Sequence, residues 1–84
     1  MPEALRLQGT CEWLRGKKGP AQEWWDQSLT MAQEQGQRYD EGVTLLERGS
    51  RLGNRGDLEK AIMILSEIGA EWDLARAREA LGRM

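Results

Sequence analysis

Any catalysis by this chain would have to be built from carboxylates and one thiol. Its 84 residues include 14 acids, 12 lysines and arginines, a single cysteine and no histidine. Histidine is the commonest general base near neutral pH and the commonest metal ligand. Without it, Cys11 has no imidazole to take its proton, and a thiol lacking such a base is a weak nucleophile. Cys11 reads instead as a small buried hydrophobe. Glu12, Asp40 and Asp57 are the acids open to general acid–base work, but no telling spacing pairs them. In a chain that is 31% charged, solvated acids are the default. No catalytic residue, metal ligand or cofactor site is assigned. Asp57 also ends Arg55-Gly56-Asp57, the letters of an adhesion tripeptide. An adhesive role would require an extended loop on a secreted protein.

The bulk properties narrow the classes further. The length suits one small domain with a modest core. A net charge of −2 provides no field for nucleic acid or an anionic membrane. Apolar runs are far shorter than the ~20 residues a membrane span needs. No basic segment followed by an apolar stretch opens the chain, so no secretory signal is visible. A lone cysteine rules out an internal disulfide and favours a cytoplasmic setting.

The elements that must position any site show themselves through the glycines. Gly9, Gly16 and Ala21 recur as Gly49, Gly56 and Ala61, and Leu5, Arg15 and Trp25 recur as Leu45, Arg55 and Leu65, all 40 residues on. A second echo carries Gly36-Gln-Arg-Tyr39-Asp40 to Gly69-Ala-Glu-Trp72-Asp73, and Gly49 to Gly82, at 33 residues. The two offsets differ by about two helical turns, so the inward face keeps its phase. These periods predict units over about 2–36, 40–69 and 72–84, the last one unfinished.

Within the units the apolar spacing is helical. Pro2 suits a first helical position, followed by the stripe Ala4, Leu7, Cys11 and Leu14. Pro20 opens a second helix with Ala21, Trp25, Ser28, Leu29 and Ala32 inward and Gly36 as its cap. A third carries Gly42, Leu45, Leu46, Gly49 and Leu52. A fourth carries Leu58, Ala61, Ile62, Leu65 and Ile68, ended by Gly69. A fifth runs from about Trp72 through Leu74, Ala77, Arg78 and Leu81. Glycine inside a helix costs up to ~1 kcal/mol against alanine, so Gly9 and Gly49 predict close helix approach, facing Ala21 and Ala61. Asp57 is expected to cap the fourth helix, which makes the adhesion letters a turn. The fold class expected is all-α, five helices in antiparallel hairpins.

These residues resemble the tetratricopeptide repeat, a helix pair of ~34 residues. Gly9, Gly16, Ala21 and Trp25, then Gly49, Gly56, Ala61 and Leu65, match its small, glycine, alanine and large-apolar positions. Gln8 and Arg48 stand where that family usually has leucine, and its closing proline is missing. The Gly-x-x-Tyr/Trp-Asp joints resemble repeats forming C-terminal arrays in large bacterial signalling proteins, behind ATPase, regulator or nucleotide-cyclase domains. The resemblance implies a fragment of a right-handed α-solenoid, about two repeats plus one helix. It also implies a protein or peptide partner held on a concave face by the first helix of each unit. Position by position, that face would hold Arg6, Thr10 and Trp13, then Leu46, Ser50 and Asn54, then Arg76, Glu79 and Arg83.

The four tryptophans divide by position. Trp25 and Trp72 fall in packing positions. Trp24 lies ~100° round the helix from Trp25 and points elsewhere, as an exposed anchor does. With the last unit unfinished, Trp24, Ile62, Ile64 and Leu74 are expected to form a self-association face, giving a homodimer. The function expected is a non-catalytic interaction module. The alternative is a structural end segment of a larger signalling protein.

Overall fold

The computed structural model describes residues 1–84, and it contains five α-helices and no strand. They are α1 (Pro2–Leu14), α2 (Lys18–Glu34), α3 (Arg38–Leu52), α4 (Arg55–Glu67) and α5 (Glu71–Gly82). Pro2 stands in the first turn of α1 as expected. Helix α2 begins two residues before Pro20, and Gly19 lies inside it. The connections are two or three residues long because a glycine turns each corner. Gly53 closes α3 with φ at 67°, a left-handed conformation that a Cβ would oppose. Gly36 does the same after α2, with φ at 66°.

Every helix packs on its successor; α1 also touches α3, and α3 touches α5, while α2 and α4 do not meet. Ser28 Oγ donates to the Pro2 carbonyl at 2.7 Å, and Trp25 Nε1 donates to the Arg6 carbonyl at 3.2 Å. A Cβ added at Gly9 would lie 2.5 Å from Trp25 Cδ1 and 3.0 Å from the Ala21 carbonyl oxygen. Rising numbers on α1 thus meet falling numbers on α2. The same holds between α3 and α4, where Gly42 abuts Leu65 and Gly49 abuts Leu58. The main core lies among α3, α4 and α5, around Leu45, Leu58, Ala61, Leu65, Leu74 and Ala77. Fully buried Trp25 fills the α1–α2 pair.

Several expectations change in contact with this packing. The stripe Ala4, Leu7, Cys11 and Leu14 faces outward, and the thiol of Cys11 is exposed. The cause is Gly9, whose bare backbone must receive the Trp25 indole. Leu7 and Cys11 stand ~200° round the helix from it. Gly49 faces Leu58 and Asp57 rather than Ala61. Ile64 and Leu74 are buried, and half-buried Ile62 packs on the same core. They belong to the core shared by α3, α4 and α5 rather than to an open face. Trp72 is exposed instead of packed, Ile68 is exposed at the end of α4, and Arg78 points to solvent on α5.

Asp57 is not the cap of α4. Asn54 is, its Oδ1 accepting from the Asp57 amide at 3.2 Å. Asp57 stands in the first turn, where its charge still suits the helix dipole. Its side chain is buried against Arg48, so the carboxylate of the adhesion letters faces inward.

The packing predicts the cost of two substitutions. Gly49→Leu places its Cβ 2.9 Å from Leu58 Cγ and should cost on the order of 1–3 kcal/mol in urea unfolding. Gly82→Ala meets nothing within 4 Å and should leave the midpoint unchanged. Equal midpoints for both variants would show that the helices do not close at Gly49.

Candidate functional site: a two-chambered groove

Helices α1, α3 and α5 line up along one side of the molecule, and two clefts open between them. The one between α3 and α5, of about 520 Å³, is bounded by Leu46, Ser50, Arg51, Arg76, Glu79 and Arg83. The one reaching from α1 to α5, of about 250 Å³, includes Arg6, Leu7, Thr10, Tyr39, Val43 and Trp72. Leu46, Glu47 and Arg76 line both, so the clefts are two chambers of one groove.

Seven of the nine expected contact residues converge here: Arg6, Thr10, Leu46, Ser50, Arg76, Glu79 and Arg83. Leu46 is buried and forms floor rather than rim, because its side chain belongs to the core. Trp13 lies outside. Its ring tilts against Trp25 with centroids 5.7 Å apart, and Lys18 sits 5.3 Å over it, closing the end of the α1–α2 pair. Asn54 also lies outside, committed to capping α4.

Polar bonds hold the chambers in shape. Arg6 Nη1 reaches Asp40 Oδ1 at 3.3 Å, and Tyr39 Oη donates to Asp73 Oδ2 at 2.8 Å. Each bond spans 34 residues, the first joining α1 to α3 and the second α3 to α5. The Asp of each Gly-x-x-Tyr/Trp-Asp joint is therefore the receiving end of such a bond. The echo in the sequence marked these aspartates; only the three-dimensional neighbourhood reveals their donors. Thr10 Oγ1 bonds Glu47, adding a second tie between α1 and α3. Arg76 Nη1 lies 3.6 Å from Asp73 Oδ1 while its guanidinium covers the Trp72 ring at 5.1 Å.

Behind the groove, Arg48 gathers three helices. Its Nε and Nη2 donate to the two Asp57 oxygens at 2.7 and 2.9 Å, and Nη1 donates to Asp26 Oδ1 at 2.7 Å. A fork-shaped guanidinium matches a carboxylate in this bidentate way. Hydrogen bonding to Asp57 holds the Arg48 guanidinium above its ordinary pKa, outweighing the opposite push of burial. Sequence reasoning had noted Arg48 only as a departure from leucine. The bond to Asp73 likewise raises the Tyr39 hydroxyl above its ordinary value of 10, and burial adds to this.

Chemically, the groove offers hydrogen bonds, ion pairs and apolar contact. No group of three or more histidine, cysteine or carboxylate residues is placed to hold a metal ion. No helix is long and apolar enough to cross a membrane. Set against protein-family models, curated proteins and solved structures, the chain matches none of them.

Two measurements test this geometry. Tyr39 is the single tyrosine, so phenolate absorbance reports it alone. It should titrate above 10, and Asp73→Ala should bring it down. A phenol whose folded-state pKa is raised adds stability in full below its unfolded value, and that contribution is lost as pH climbs through the folded value. Stability should therefore fall above pH ~10 in the wild type, and less so in Tyr39→Phe. Separately, Arg48→Ala strands the buried Asp57 carboxylate and should cost on the order of 2–3 kcal/mol in urea unfolding. A loss under ~0.5 kcal/mol, the size of an ordinary surface change, would mean that Arg48 braces nothing.

Proposed function

We propose that the chain is a non-catalytic interaction module of the tetratricopeptide type, which binds an extended segment of a partner protein along the α1–α3–α5 groove. The observation that carries this is the convergence of Arg6, Thr10, Ser50, Arg76, Glu79 and Arg83 on one continuous groove. All six fall at positions that repeat spacing alone assigns to one face. The packing pattern supports the hairpin-array reading: odd-numbered helices touch one another, even-numbered ones do not. Mixed charges and hydroxyls around an apolar floor suit a peptide, whose backbone needs polar partners and whose side chains need pockets. Neither nucleic acid nor membrane is part of the proposal, and its setting is the cytoplasm.

A second reading has its own observation. The exposed apolar stripe Ala4, Leu7, Cys11 and Leu14 on α1 is the kind of face that a neighbouring unit covers in an array. It favours a structural end segment of a larger signalling protein, or a homodimer in which a second copy takes the neighbour's place. With Ile64 and Leu74 withdrawn into the core, that stripe and half-buried Trp24 are what remains for self-association.

Random-peptide selection on the immobilised chain separates these readings. Under the groove reading, selected peptides bind in calorimetry, and Ser50→Trp, which fills a chamber, weakens them at least tenfold. Met63→Ala, on α4 outside both chambers, leaves them unaffected. Peptides indifferent to Ser50→Trp would refute the groove. A dimer mass in sedimentation equilibrium that Leu14→Glu returns to monomer would establish the second reading.

A further inference from the structure

The smaller chamber carries a feature that the groove reading does not use. Tyr39 and Trp72 each begin a helix, sit beside Leu7, and leave their rings in solvent. Leu7 is 53% exposed, Tyr39 49% and Trp72 73%. A tryptophan left this open is costly to solvate and is a common anchor of interfaces. The Tyr39 hydroxyl is occupied by Asp73, so the phenol presents only its ring. Arg76 lies over the Trp72 indole at 5.1 Å, and the residue is still 73% exposed.

The charges around this chamber are balanced and engaged. Arg6 pairs with Asp40, Arg76 with Asp73, and Glu47 with Thr10 and Arg51. Each charge already faces a partner of opposite sign, which weakens its pull on a further charge. An uncharged apolar side chain complements such a surface; an isolated charge would have to be desolvated without a partner. Size narrows the occupant further. A chamber of about 250 Å³ is smaller than the ~300–1,000 Å³ of small-molecule pockets and suits one or two side chains. At their exposed fractions the three side chains offer on the order of 400 Å². That is about half of the ~800 Å² per partner buried in a stable protein–protein interface, too little for a second copy and enough for a short segment.

We propose that Leu7, Tyr39 and Trp72 form the specificity pocket of the groove, and that it receives an uncharged apolar or aromatic anchor from an extended peptide. This rests on the groove reading and adds what the partner must carry. The anchor stacks on Trp72 and against Tyr39, over a floor of Val43 and Leu46. The neighbouring chamber, with Ser50, Arg51 and Arg83 at its rim, takes the peptide's polar portion.

The test uses four synthetic serine–glycine octapeptides, identical except for one central residue: tryptophan, leucine, glutamate or lysine. Each is titrated into the nitrogen-labelled full chain and followed by amide and indole shifts. The tryptophan and leucine peptides should shift the Trp72 indole and the amides of Leu7 and Tyr39, and the charged ones should not. Trp72→Ala should weaken the tryptophan peptide at least tenfold while the thermal midpoint stays in place, since that side chain supports no packing. Met63→Ala, on α4 outside both chambers, should retain binding. If the charged peptides bind at Ser50 and Arg83 and Trp72→Ala changes nothing, the pocket is refuted and the groove stands. If no peptide shifts either chamber at millimolar concentration, both are refuted. Trp72 resonances that move on dilution of the chain alone would assign the patch to a second copy and overturn the proposal.

Discussion

The structure depends on one constraint: paired helices must come close enough for a large side chain to rest on bare backbone. At Gly9 the Trp25 indole occupies the space a Cβ would need. Gly42 and Gly49 receive Leu65 and Leu58 in the same way. Each glycine weakens its own helix by up to ~1 kcal/mol, and each is offset by a neighbour that becomes fully buried. The rest follows from this choice. A helix committed to presenting Gly9 inward must turn Leu7, Cys11 and Leu14 outward. Trp25 donates its indole N–H to the Arg6 carbonyl, which satisfies a polar group that burial would otherwise strand. The chain thus trades side-chain bulk on one helix for burial on the next.

Close approach alone does not set how successive pairs sit on one another, and there polar groups take over. Ser28 and Thr44 share a hydrogen bond of 3.0 Å at the α2–α3 contact, both fully buried. Arg48 ties α2, α3 and α4 together through Asp26 and Asp57. Arg6–Asp40 and Tyr39–Asp73 repeat one tie across the groove. No buried side-chain polar atom lacks a partner. That completeness matters because an orphaned buried group costs about 1–3 kcal/mol, comparable with what one such bond contributes. Directional bonds also fix an angle, whereas apolar burial is non-directional. The groove owes its depth to burial and its shape to these ties.

Much of this was legible in the sequence, and the failures have physical causes. Five helices, their order and their glycine ends were readable because the turns need positive φ and the pairs need small residues; both demands fall on residue type at fixed spacing. Seven groove residues were readable because repeat position projects directly onto a helix face. The first helix misled because its apolar stripe and its close-contact glycine point to opposite sides, and spacing alone does not say which one packs. The cap of α4 was misplaced by one turn because Asn54 and Asp57 are both good cap residues. What separates them is Arg48, nine positions before Asp57 and unpredictable as its partner. Trp72 was read as packed because Tyr39 holds the equivalent position. Both residues turn out to be exposed, and what the two joints share is the aspartate that follows, Asp40 or Asp73, bonded to the preceding odd-numbered helix.

The 33-residue echo also changes character along α5. Moving 33 residues along from α3, buried Leu45 and Leu46 become Arg78 and Glu79. Both are exposed, and Glu79 pairs with Arg83 at 2.6 Å. The close-contact positions keep their small residues, since Gly42 becomes Ala75 and Gly49 becomes Gly82, yet nothing large approaches Gly82. Charges have replaced leucines at these positions, and Glu79 stands in the wall of the larger chamber whose floor includes Leu46. Apart from Met63 and Ile68 on α4 and the terminal methionines, exposed apolar side chains gather on the outer stripe of α1 and around Trp72. The second of these opens onto the groove, which is where an exposed ring has a use.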